Sequence, residues 1–108
     1  MKTKTEPQPL NDICYTENQE IIDLYVTGRN NQDLTKAQVK RFFMILQIMN
    51  GSRNVGVIKI LSKHMLSEFR HEKEDGIYSV SIKEGLRLFF CEDRMMFNIL
   101  EIRMDDSQ

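Results

Sequence analysis

Three arginines and two histidines are the side chains in this sequence best suited to chemistry. Arg87 sits between Leu86 and Leu88 in GIYSVSIKEGLRLFF, residues 76–90. In an extended segment successive side chains point to opposite faces, so an arginine between two leucines faces away from the core they enter. Its guanidinium is always charged and presents a planar fork of donors that matches a carboxylate or a phosphate. Arg70 and Arg103 lie in other alternating stretches and qualify as second cations on the same face. His64 and His71 are the two histidines. An imidazole titrating near pH ~6.5 suits proton transfer at neutral pH. His71 opens the charged run His71-Glu72-Lys73-Glu74-Asp75 and reads as a surface residue, which leaves His64 as the better acid or base. The plainer alternative for Arg87 is a solvated side chain, or one paired with Glu101 across strands.

The elements that must position these groups are marked by periodicity. Tyr78, Val80 and Ile82 alternate with Ser79 and Ser81, Leu86, Leu88 and Phe90 repeat the pattern, and Lys83-Glu84-Gly85 joins the two as a hairpin loop ending in Gly. Upstream, Ile13-Cys14-Tyr15 reads as a short first strand. Thr16 to Gln19 fits a capping box for a first helix, from about Glu17 to Thr27, with Ile21, Leu24 and Tyr25 as its stripe and Gly28 as its C-terminal cap. A polar loop at Arg29 to Asp33 leads to a second capping box, Thr35 to Gln38, with Leu34 and Val39 as a hydrophobic staple. The second helix then runs to about Met49 and lays Val39, Phe42, Leu46 and Met49 along one seam. Residues 52–63 fit no single period, and a strand and a helical turn both remain open. From about Met65 alternation returns as a strand, with Glu68 and Arg70 on one side. Asp93-Arg94 makes the next turn, and Met96 to Met104 is the last strand, with Leu100, Ile102 and Met104 on one side and Phe97, Ile99, Glu101 and Arg103 on the other.

This order predicts an α+β domain: a mainly antiparallel sheet of four to five strands with a two-helix hairpin packed on one face. The 108 residues suffice for one such domain, expected over 12–108, with Met1 to Asn11 as a disordered tail containing Pro7 and Pro9. That tail has no apolar run of the kind a secretory signal needs, and no stretch is long enough to cross a bilayer. Cys14 and Cys91 lack metal-ligand spacing and read as small hydrophobes of a reducing cytoplasm. No cofactor is implied. The net charge of −1 argues against a large non-specific nucleic-acid surface. Residues 1–63 carry nine Lys or Arg against six Asp or Glu, so a local basic patch is confined to that half. Lys36, Lys40 and Arg41 read most simply as the wet side of the second helix.

The order of elements and several local sequences resemble the RelE/ParE toxin superfamily, most closely its HigB-like plasmid-maintenance killer proteins. EIIDLYVTGRN at residues 20–30, VKRF at 39–42, HMLSEF at 64–69, GIYSVSI with LRLFF at 76–90, and NILEI at 98–102 carry the likeness. The resemblance implies a RelE-like β-α-α-β-β-β toxin held by a cognate antitoxin, which cuts mRNA on the ribosome without a metal. Arg87 matches the family's sheet arginine and would stabilise the transition state, with Arg70 or Arg103 as a second cation and His64 as acid or base. Lys36, Lys40, Arg41, Lys59 and Lys63 would then contact ribosomal RNA. Two departures accompany the likeness. Ser81 stands where members commonly carry arginine, and the chain ends Glu101-Ile102-Arg103-Met104-Asp105-Asp106 where the family often ends Glu-Ile-x-Asp-Tyr-His. The alternative is a degenerate RelE-like module that binds an antitoxin or another protein target without cutting RNA.

Overall fold

Alternation along the strands builds a six-stranded mixed sheet, and three helices bury its apolar side. The computed structural model describes residues 4–28, 34–52, 54–64, 68–74 and 76–105. In chain order the elements are β1 (Lys4–Pro9), β2 (Cys14–Asn18), α1 (Gln19–Thr27), α2 (Lys36–Asn50), α3 (Val55–His64), β3 (Phe69–His71), β4 (Ile77–Ser81), β5 (Leu86–Asp93) and β6 (Met96–Met104). The sheet order is β1-β2-β6-β5-β4-β3. β2 runs parallel to β6, and the other neighbours are antiparallel. The α+β expectation stands. The count of four to five strands and the two-helix layer are corrected by β1 and by α3.

From Lys4 to Pro9 the expected tail is strand β1, with residues 1–3 outside the described residues, and local hydrogen bonding explains why. Asn11 Oδ1 accepts from Ile13 N at 3.0 Å and from Cys14 N at 2.7 Å, turning the chain back on itself. Leu10 is buried beside the core, and β1 then pairs antiparallel with β2. Pro7 and Pro9 lack an N–H, which a sheet edge tolerates. Thr16 is likewise corrected: it is a buried strand residue and not a helix cap. Its hydroxyl donates to Ile99 O at 2.6 Å and accepts from Asn18 N at 3.1 Å. The N-cap of α1 is Asn18, whose Oδ1 accepts from Glu20 N. Gly28 closes α1 in the left-handed conformation at φ 71°. The loop expected at Arg29 to Asp33 lies outside the described residues.

The second capping box forms as expected. Gln38 N donates to Thr35 Oγ1, and Thr35 N donates to Gln38 Oε1. Gln38 is buried and also donates to Lys83 O at 3.1 Å, which ties α2 to the β4–β5 loop. The ambiguous stretch 52–63 resolves mostly into α3. Its periodicity was unreadable because apolar residues stand on two sides of one helix: Ile58 enters the core, while Ile60 and Leu61 are exposed. The strand expected from Met65 is only Phe69–His71, and residues 65–67 lie outside the described set.

The core joins Ile21 and Leu24 of α1, Phe42, Leu46 and Met49 of α2, and Ile58 of α3 to Val80, Leu88, Phe90, Phe97, Ile99 and Ile102 of the sheet. Phe97 and Ile99 are on the core side, contrary to a strict period of two. A bulge explains it: Phe89 opposes Glu101, whereas Phe90 opposes Ile99. Past the bulge the phase flips, so Glu101 and Arg103 face outward with Arg87. The last turn is Arg94-Met95, both at positive φ, and Met95 is exposed there and not part of the core packing.

Thr16→Val removes both hydroxyl bonds at a fully buried site. It is expected to lower the unfolding free energy by about 1–3 kcal/mol in urea titrations. Thr16→Ser, which keeps the hydroxyl, should lose less.

Candidate functional site

The outer face of the sheet, opposite the helices, gathers the candidate arginines. Register places them: Arg70 opposes Ser79, Ser79 opposes Phe89, and Arg87 lies between Ser81 and Arg103. Arg87, Arg70 and Arg103 therefore share one face, as expected. Each of the three is paired with a carboxylate of the same chain.

Arg87 is 3% exposed. Its Nε donates to Ser79 Oγ at 2.8 Å, Nη1 to Glu68 Oε1 at 3.0 Å, and Nη2 to Glu68 O at 2.5 Å and Ser79 O at 3.2 Å. Four of the five N–H donors of a guanidinium are thus accepted within the protein. Glu68, not the expected Glu101, is the carboxylate partner, and its side chain is largely exposed. Burial and the neighbouring Arg70 both push the Arg87 pKa down, opposed by Glu68, Asp105 and Glu72. An arginine starts so far above neutrality that it stays charged.

Arg70 is held from the other side. Its Nη1 and Nη2 fork onto Asp105 Oδ2 and Oδ1 at 3.0 and 2.8 Å, and its Nε donates to Glu72 Oε2 at 3.2 Å. The hydrogen bonds to Asp105 lead a strong upward shift of its pKa. Asp105 occupies the bidentate seat that a phosphate would take. Glu72 Oε2 also accepts from Ser79 Oγ at 2.5 Å, so Ser79 and Glu72 link Arg87 to Arg70. Burial acts to raise the Glu72 pKa, but the hydrogen bonds from Ser79 and Arg70 outweigh it and hold the group below its ordinary 4.5. Arg103 donates to Glu101 Oε2 at 3.1 Å and stacks over the Phe89 ring at 4.0 Å, and Phe89 is buried beneath it.

Among the described side chains, the other candidates lie elsewhere. His64 ends α3, and its side chain lies outside the described residues. His71 ends β3 and stacks on Tyr78, with centroids 4.9 Å apart, on the core side of the strand. Lys36 and Lys40 are exposed on α2, Arg41 is half-buried, and Lys59 and Lys63 are exposed on α3. These residues belong to the helix layer, and the arginines belong to the opposite face of the sheet. Cys14 is buried with its thiol against Met49 Sδ, and burial pushes its pKa up to about 12, while Cys91 is only half-buried. A cavity of about 210 Å³ lined by Asn11, Tyr25, Phe43, Leu46, Gln47 and Asn50 opens on the helix side, away from the arginines. Among the described residues no cluster of His, Cys, Asp and Glu is placed to hold a metal ion, and no helix is long and apolar enough to cross a membrane.

Sequence reasoning placed Glu68 and Glu101 with the arginines but missed two carboxylates. Glu72 and Asp105 sit just beyond strand ends, where no periodicity assigns a face. Phe89 was legible in principle, because LRLFF puts it two residues from Arg87. The chain matches no protein-family model and no curated protein.

Arg87→Ala should cost about 1–3 kcal/mol of stability, since it strips partners from buried Ser79 and from the Glu68 carbonyl. Arg103→Ala, at a half-exposed pair, should cost under about 1 kcal/mol. Urea unfolding of both variants checks the contrast. Glu72 also predicts a pH effect. Its folded pKa lies below the unfolded one, so its contribution is full above about pH 4.5 and is lost as pH falls through the folded value. Comparing unfolding at pH 7 and in mild acid, Glu72→Gln should flatten the wild-type decline.

Proposed function

We propose that this chain is a RelE-like module that acts by binding a protein, an antitoxin or another protein target, and does not cut RNA. The observation that carries the reading is the pairing of all three sheet arginines with carboxylates of the same chain. A metal-free ribonuclease needs a cation whose donors point at the scissile phosphate, together with an acid and a base beside it. Here Arg87 is 3% exposed and directs its donors to Ser79 and Glu68. Arg70 is forked on Asp105. The face carries Glu68, Glu72, Glu101 and Asp105 against three arginines, a balance that repels an RNA phosphate. The sequence departures point the same way, because Asp105 and Asp106 stand where the resembled family often places Tyr and His.

The test is expression of the chain under tight control, with growth and transcript integrity followed in parallel. Transcripts are expected to stay intact, and growth arrest, where it occurs, should be relieved by co-expressing a binding partner. Fragmented mRNA with the wild-type chain, and intact mRNA with a folded Arg87→Lys variant, would contradict the reading and restore the endoribonuclease.

A further inference from the structure

The cavity on the helix side, about 210 Å³, is built from three separate parts of the chain. Tyr25 comes from α1, Asn11 from the turn between β1 and β2, and Phe43, Leu46, Gln47 and Asn50 from α2. Positions 43, 46, 47 and 50 fall at i, i+3, i+4 and i+7, so one face of α2 supplies all four. Leu46 is buried and forms the floor. The Tyr25 and Phe43 rings meet with centroids 5.7 Å apart and make an aromatic wall.

Asn11 is the fixed polar group of the lining. Its Oδ1 accepts from Ile13 N and Cys14 N, and its Nδ2 donates to Leu46 O at 3.1 Å. Those bonds lock the orientation of the amide and leave one N–H of Nδ2 for a further acceptor. Gln47 and Asn50 are exposed at the rim, and each brings a side-chain amide that both donates and accepts. Among the described residues no Lys, Arg, Asp or Glu lines the cavity.

These features select a class of ligand. An aromatic wall favours a flat ring. A lining without charge cannot offset the desolvation of an ion, so the ring is neutral. A locked N–H calls for an acceptor, and the two rim amides can take a donor. Size narrows the choice further. An apolar cavity of about 150 Å³ admits benzene, so this one has room for a ring with one more small group. Sites for larger ligands begin at about 300 Å³, which leaves a whole nucleotide outside.

We propose that this cavity binds a small neutral ring bearing a carboxamide. The ring lies against Tyr25 and Phe43, the carbonyl accepts from Asn11 Nδ2, and the amide N–H donates to the side-chain oxygen of Gln47 or Asn50. The site is away from the arginine face and does not depend on the protein-binding reading.

The full ¹⁵N-labelled chain is titrated with benzamide, with benzoate, which has the same shape and a charge, and with toluene, which has the ring and no hydrogen-bonding group. Benzamide is expected to move the side-chain amide resonances of Asn11, Gln47 and Asn50 saturably at low millimolar concentration, while the Arg87 Nε–H stays in place. Benzoate and toluene should bind at least about tenfold more weakly. A double Gln47→Met and Asn50→Ala variant, changed only at exposed rim positions, should weaken benzamide about tenfold and leave toluene unaffected. The dispersion of its spectrum confirms that it folds. Absence of a saturable benzamide shift, equal binding of benzoate or toluene by the wild-type chain, or benzamide binding untouched in the folded double variant would overturn the proposal. Cleavage of mRNA by the chain would sink the protein-binding reading and leave the benzamide result standing, so the two failures are distinguishable.

Discussion

A guanidinium taken out of water must be given its hydrogen bonds back, and at Arg87 that requirement organises one whole face of the sheet. Ser79 on β4 supplies a hydroxyl and a carbonyl, and Glu68 ahead of β3 supplies a carbonyl and a carboxylate. The edge strand β3 is short, and the bonds from Arg87 to the residue just before it help to fix where it lies. Glu72 then accepts from both Ser79 and Arg70, and Arg70 reaches Asp105 beyond the end of β6. One buried cation thus begins a chain of polar contacts that links both ends of the β3–β6 half of the sheet. Such a network is stabilising only while every member is satisfied, which is why removing one partner costs more than the pair contributes.

The two layers of the molecule differ in electrostatic character. On the outer sheet face each arginine has a carboxylate within hydrogen-bond reach, and Arg103 also covers Phe89. The face is charged but internally matched, and a matched face offers little to an anionic ligand. Helices α2 and α3 carry basic residues and no acidic one in their own sequence, and Ile60 and Leu61 of α3 are exposed.

Much of this arrangement was legible in the residues. The β4–β5 alternation puts Arg87, Ser79 and Ser81 on one face, and the Thr35–Gln38 box places the start of α2. What was not legible had specific physical causes. Thr16 offers the same hydroxyl to a helix N-terminus or to a strand carbonyl, and only the parallel partner β6 decides for Ile99 O. Phe97 and Ile99 change sides because of one bulged residue, an event that a period of two cannot signal. The burial of Arg87 was hidden because its acceptors lie 8 and 19 residues away in sequence. The identity of the outward arginine was readable, but whether it faces a ligand or its own chain depends on groups that flank the strands.

The most direct measurement is of the Arg87 side chain itself. Its Nε–H, bonded to Ser79 at 2.8 Å, gives a distinct resonance in a ¹⁵N-labelled protein. The account predicts slow exchange with solvent and no movement when a short RNA or inorganic phosphate is added. A resonance that exchanges rapidly, or that shifts saturably with RNA, would show a guanidinium available to a phosphate and would contradict it.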